Sequence, residues 1–220
     1  DRFAENMSFG EREAGEVSDT KKSEEMAYQV RAYVEKHPEK NIRFYTDCVT
    51  RFGSDGMNYA ASLAKGKWIV PFSDDDRFIT DNLFEAILKI RDGKYDDADI
   101  VFSRVTVNDN ESWGIGTDDF MIDRLLQDNA VPFSAFVKKD SFFKAGGYLS
   151  GDPILDWGLW LRSKMLGMKF RYFEKPIYNY RYTEHATLNV INGKYGDFGQ
   201  MRNIIVKNAR EYCERASINA

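Results

Sequence analysis

The stretch Trp68-Ile69-Val70-Pro71-Phe72-Ser73-Asp74-Asp75-Asp76-Arg77-Phe78 (WIVPFSDDDRF) decides how the chain is read. Residues 68–72 form an apolar run of strand character that stops in a serine and three consecutive carboxylates. In open α/β sheets, ligands bind beyond the carboxyl ends of the strands, so this places negative charge where a site belongs. Adjacent carboxylates repel one another unless a cation, donors or solvent neutralise them. Their oxygens suit a hard ion, Mg²⁺ or Mn²⁺. The competing reading makes Asp74 and Asp75 turn residues and Asp76 the cap of a helix starting near Thr80. An EF-hand loop is excluded, because Ile79 stands where the sixth position, counted from Asp74, requires glycine.

Outward from this stretch, helical and strand periods alternate. Residues 1–20 read as irregular. A helix is expected over Lys22–Lys36, with Met26, Val30, Tyr33 and Val34 on one face and Pro38 as its stop. Strands follow at Asn41–Thr46 and Trp68–Phe72, separated by a helix from Gly56 to Lys65. Then come a helix over Thr80–Arg91, a strand over Ala98–Val107 and a polar loop over Asn108–Gly116. Thr117 opens a helix to Gln127, Ser134–Lys138 is a strand, and Asp140–Lys144 is a short helix. A helix over Asp156–Gly167, strands at Lys169–Glu174 and Ile177–Tyr182, and a helix over Asp197–Arg215 complete the chain. This order predicts an α/β fold with a mainly parallel central sheet covered by helices on both faces. Residues 1–182 form the core domain in this reading, and 183–220 form a carboxyl-terminal segment and helix that could act as a lid.

The totals are those of a water-soluble globular chain: 220 residues, 43% hydrophobic and 30% charged. A net charge of −4 without a Lys/Arg block argues against a nucleic-acid partner. No apolar run approaches the roughly 20 residues that cross a bilayer. Cys48 and Cys213 are far apart and lack metal-ligand spacing, which points to a reducing, cytoplasmic setting, including one peripheral to the inner face of a membrane. The chain opens at Asp1 without Met, so residues upstream are expected to be missing.

A second acidic position lies in GGYLSGDPILDWGLWLRSK, residues 146–164, where Asp156 opens a helix. A helix amino terminus favours the ionised carboxylate, which suits a base only if burial or a neighbouring anion raises its pKa again. The alternative is a carboxylate that caps its own helix.

These blocks resemble the family-2 glycosyltransferases of the GT-A, nucleotide-diphospho-sugar transferase type. Gly56-Met57-Asn58 with Ala64-Lys65-Gly66-Lys67-Trp68-Ile69 is similar to the family's "A-R-N … A-x-G-x-x-I". Phe72-Ser73-Asp74-Asp75-Asp76 is similar to its "L-D-x-D-D". Gly146-Gly147-Tyr148 and Asp156-Trp157-Gly158-Leu159-Trp160-Leu161-Arg162 are similar to "G-G-[FY] … E-D-x-x-L-W-x-R", and Tyr180-Arg181 to a later "Y-R". The resemblance implies an inverting transfer of sugar from a nucleotide-diphospho-sugar, a UDP-sugar foremost, to a hydroxyl of a carbohydrate or lipid-linked acceptor. It implies Asp156 as general base and Asp75, with His185, on Mn²⁺ or Mg²⁺. Donor contacts fall to Asn58, Ser73, Asp74, Arg51, Lys65 and Arg181, and acceptor contacts to Trp157, Trp160 and Gly147. Helical spacing makes at least one of the two tryptophans a core residue instead, and Asn58 has loop-pinning as its alternative.

The chain departs from the pattern at Ser73, Met57 and Leu155, where the family carries Asp, Arg and Glu, and it lacks the opening "P-x-Y-N" strand. Two other readings therefore stand beside the first. One is a nucleotidyltransferase of the same fold, for which no Gly-rich phosphate loop is visible. The other is a sugar- or nucleotide-binding relative without turnover. Oligomeric state is not legible.

Overall fold

The structure is a computed structural model, and it describes residues 17–44, 53–73, 75–120, 122–182 and 196–218. The chain divides into two compact units, Asp1–Thr50 and Arg51–Ala220.

In the first unit, α1 runs over Val17–Lys36 and a single 3-10 turn follows at Pro38–Lys40. Pro38 supplies the expected stop. Val30 and Tyr33, two of the residues expected to share a face, are 37% and 45% exposed. Tyr33 instead receives a hydrogen bond from Lys40 Nζ and lies against the His37 ring. Residues 41–44 are not strand; the rest of that expected strand lies outside the described residues.

The second unit carries the fold. Its elements are α2 (Gly53–Leu63), β1 (Trp68–Ile69), β2 (Arg77–Phe78), α3 (Thr80–Arg91), β3 (Ile100–Ser103), β4 (Val105–Val107) and β5 (Glu111–Trp113). They continue as α4 (Ile122–Gln127), β6 (Phe136–Lys138), α5 (Lys139–Lys144), α6 (Leu155–Met165), β7 (Phe170–Phe173), β8 (Tyr178–Tyr180) and α7 (Phe198–Ile218). The strands form two four-stranded sheets, in the orders β1-β6-β3-β7 and β2-β8-β4-β5. The α/β class holds. Pairing is mixed rather than mainly parallel: β3–β7 and β4–β8 run parallel, and the other ladders of the described residues are antiparallel.

The single strand expected over 98–107 is two. Ile100–Ser103 is buried throughout, as a central strand should be. At exposed Arg104 the chain leaves one sheet for the other, and Ser103 Oγ marks the bend, donating to Arg104 O and accepting from Ile177 N–H. The β1 strand stops at Ile69, short of the expected Phe72. Pro71 has no N–H to give a ladder, and Phe72 turns out to stack on Phe78 at 3.6 Å between ring centroids.

The loop expected over 108–116 contains β5, paired back on β4. Asn108 and Asp109, at φ 48° and 65°, make the two central residues of a hairpin turn closed by Asn110 N–H to Val107 O. Asn and Asp tolerate this left-handed backbone best among residues with a side chain. Thr117 does not cap a long helix; its hydroxyl accepts from Asp119 N–H in a local turn, and α4 begins only at Ile122.

The larger core forms around α6, which packs on α4, α5 and α7. Its residues from Asp156 to Ser163 are all buried, so this helix has no solvent face. A second cluster, including Ala86, Val101, Phe136, Phe173 and Tyr178, lies between α3 and the strands.

Candidate active site

Asp156 stands in the first turn of α6 and is 9% exposed. It is not the cap of its own helix: the N-cap is Ile154, in extended conformation and without a side-chain cap bond. Asn129 Nδ2 donates to Asp156 Oδ2 at 3.0 Å. Burial pushes the carboxyl above the ordinary carboxylate range, while the Asn129 donor and the backbone N–H groups of Trp157 and Asp156 pull the other way. A carboxylate raised by desolvation is a stronger proton acceptor than a free one.

The motif residues around Asp156 form its mounting. Arg162, fully buried, pairs with Asp152 at 2.5 Å and donates to Ala145 O at 2.8 Å and Gly147 O at 2.6 Å. Asn208 of α7 adds a donor to the free side of Asp152 at 3.0 Å. This satisfaction is what lets a buried ion pair persist. Gly158 permits it, since a Cβ there would sit 2.0 Å from Asp152 Oδ2. On the other side, Asn58 clasps Tyr148, donating to its carbonyl at 2.8 Å and accepting from its N–H at 2.9 Å. Gly147 holds φ 62°, and a Cβ would meet Asn58 Oδ1 at 2.5 Å. The Gly-Gly-Tyr turn is thus fixed from both directions, with Tyr148 held beside Asp156.

The acidic turn meets this region at β8. Side chains alternate across a strand, so Tyr178 and Tyr180 share one face, and Asn179 shares the other with Arg181 just beyond the strand. Burial raises the Tyr178 hydroxyl, and the negative charges of Asp156 and Asp76 raise it further. Tyr180 is raised by burial and then by Asp76, Asp75 and Asp156. Both acidic spots therefore act on the same two phenols, on one face of β8. Ser73 Oγ donates to Asp75 Oδ1 at 2.5 Å, and Asp76 accepts from Arg181 N–H at 3.0 Å. Asp76 is thus tied to β8, and α3 starts behind Ile79 without a side-chain cap.

On the opposite face of β8, a cavity of about 270 Å³ is lined by Asp75, Arg77, Asn108, Asp109, Asn179 and Arg181. Arg77 pairs with Asp109 at 2.6 Å, and Asn179 donates to the same carboxylate oxygen at 2.6 Å. Arg181 is thereby brought to Asp75.

The remaining expectations sort plainly. Trp157 and Trp160 are fully buried and are core, not acceptor platforms. Trp157 donates to Leu125 O at 2.6 Å and stacks on Phe198. Asn58 and Gly147 serve the turn rather than a donor or acceptor, since the amide is engaged at both ends and the glycine is packed against it. Lys65 is exposed just past α2. Arg51, Asp74 and His185 lie outside the described residues. Among the described residues no cluster of three or more His, Cys, Asp or Glu forms a cage for a metal. An exposed carboxylate such as Asp75 fits the other mode, in which a hard ion is held by one or two carboxylates together with a ligand's phosphates.

Sequence reasoning missed Asn129, Tyr178 and the hydroxyl of Tyr148. Asn129 sits two residues past α4 with no pattern to single it out. Tyr178 and Tyr180 were findable from the period-two spacing of YNY beside an acidic turn.

No protein-family model matches the chain, and no curated protein matches it at a significant level. Solved structures do. The crystal structure of S. aureus TarS 1–349 in complex with UDP-GlcNAc has a TM-score of 0.55 over 73% of this chain and 48% of that one, at 12% identity. A second crystal structure of S. aureus TarS 1–349 gives 0.52 over 76% of this chain and 52% of that one, also at 12% identity. The chain spans about half the length of these structures. The fold is GT-A-like. At this identity the likeness speaks to the fold and not to the family.

Proposed function

We propose that the chain is a glycosyltransferase domain that moves a sugar from a nucleotide-diphosphate donor to a hydroxyl acceptor, with Asp156 as general base. The observation that carries this reading is the near-buried carboxylate of Asp156, held 3.0 Å from Asn129 Nδ2 and within electrostatic reach of the same tyrosine, Tyr180, as Asp75 and Asp76. The fold it shares with a protein crystallised with UDP-GlcNAc makes a UDP-sugar the first donor to try.

In the transfer, the acceptor O–H proton passes to Asp156 as the oxygen forms its bond to the anomeric carbon. The bond from that carbon to the diphosphate oxygen breaks, and its electron pair leaves with the nucleotide diphosphate. Attack opposite the leaving group inverts the anomeric centre. Mn²⁺ or Mg²⁺, held by Asp75 together with donor phosphates, would neutralise the growing charge when bound. The acceptor is a carbohydrate or a lipid-linked saccharide in this reading. No helix among the described residues is long and apolar enough to cross a membrane.

Isothermal titration with UDP- and GDP-sugars, with and without Mn²⁺, tests the reading. Binding of a UDP-sugar, strengthened by Mn²⁺, is expected. Heat from none of them under any condition contradicts it.

A further inference from the structure

A groove of about 500 Å³ runs along the outer flank of α7. Leu126 of α4 and Val206 give it an apolar lining, each partly buried against the core, and Lys207, Arg210, Glu211 and Glu214 give it charge. Helix α7 turns Met201, Ile205, Ala209 and Cys213 inward. The four charged residues follow one another at i, i+3, i+4 and i+7, so they share a single face on the far side of the helix, and all four are exposed. Their order is unfavourable for a helix left to itself. An acid four residues before a base is the better direction, and anions toward the carboxyl end oppose the helix dipole; here both cations precede both anions. Lys207 comes no nearer to Glu211 than 3.9 Å, and Arg210 and Glu214, also four apart, make no ion pair among the described residues.

The same order is self-complementary toward an antiparallel copy. A two-fold axis crossing α7 between Arg210 and Glu211 sets Arg210 opposite the partner's Glu211 and Lys207 opposite the partner's Glu214, and symmetry repeats each pairing. Sliding the partner by one turn in either direction sets Lys207 against Arg210 or Glu211 against Glu214, and a parallel copy would oppose like charges throughout. The pattern therefore admits one register. We propose that this flank of α7 is a homodimer interface, in which two copies pack antiparallel across Lys207, Arg210, Glu211 and Glu214 and close Leu126 and Val206 off from water. Exposed ion pairs contribute little each, so the charges fix orientation and register while the apolar lining supplies the burial. The dimer is accordingly weak, concentration-dependent and loosened by salt. Nothing in it depends on the role of Asp156.

The test is sedimentation velocity of the full chain over a micromolar concentration series, at low and at high salt. The parent is expected to dimerise, and to do so less at high salt. The double variants Lys207→Glu/Arg210→Glu and Glu211→Lys/Glu214→Lys each oppose like charges across the axis, and each is expected to weaken the dimer Kd by about a hundredfold. All four side chains are exposed, so the fold is expected to persist, with circular dichroism as the check. An equimolar mixture of the two double variants should associate again, now as a heterodimer. The variant carrying all four substitutions restores the complementary order and should return to the parent's Kd. A parent that stays monomeric at low salt across the series overturns the interface. So do double variants that dimerise as the parent does, or a mixture of the two that remains monomeric.

Discussion

Asp156 is drawn two ways, since the field of its helix and the Asn129 donor favour the anion and burial favours the acid; burial wins. Catalysis by this carboxylate requires the ionised form, so the acidic limb of kcat/KM is expected above the ordinary carboxylate range, read from a pH–rate profile. A limb within the ordinary carboxylate range would speak against it. Stability has the opposite sign. A carboxyl raised on folding favours the native state at pH below its unfolded pKa, and that contribution is lost as pH rises through the folded pKa. The Asp156→Asn variant should therefore be at least as stable as the parent at neutral pH in urea unfolding, with the advantage gone once the parent is protonated. Asn58 makes the converse case. Asn58→Ala removes both bonds to Tyr148 and is expected to cost about 1–3 kcal/mol, with donor affinity of the folded protein unchanged. A large loss of donor affinity at unaltered stability would restore the donor role that the motif resemblance assigned to it.

At the scale of elements, α6 explains why the sequence was misleading about the tryptophans. A helix buried all round carries no stripe to separate core from site, and Trp157 and Trp160 look alike in sequence whether they meet a sugar or the interior. The surface helix α3 is the contrast: its expected bounds, about Thr80 to Arg91, are those observed. The β4–β5 hairpin was hidden because Asn108-Asp109-Asn110 carries no glycine and reads as a polar loop, although two left-handed Asn/Asp residues between VTV and ESW are a turn signal. A carboxylate partner for Arg162 was one reading of the sequence and a surface side chain the other; that the partner is the buried Asp152 was not legible. Arg162→Met should strand the Asp152 charge and cost about 3–5 kcal/mol, with part recovered in the Asp152→Leu/Arg162→Met double variant. A urea series over the three variants checks this; a near-neutral single variant would show that the pair does not anchor α6.

Across the whole molecule, the order of the acidic segments was legible and their three-dimensional relation was not. The motifs placed Asp75 and Asp156 in one site; in the structure both bear on the Tyr180 hydroxyl of β8, and Asp75 also lines the cavity that holds Arg181. With Asp75 and Arg181 lining one cavity, Arg181→Ala is expected to weaken donor affinity about tenfold, the range of a hydrogen bond to a charged group; titration calorimetry reads it, and an unchanged affinity would put the diphosphate away from that cavity. The most direct measurement is a crystal structure of the chain with an unhydrolysed UDP-sugar and Mn²⁺. The anomeric carbon should face Asp156 on the Tyr178–Tyr180 side, with the diphosphate within reach of Asp75. A donor seated anywhere that leaves Asp156 out of reach of its anomeric carbon would contradict the account.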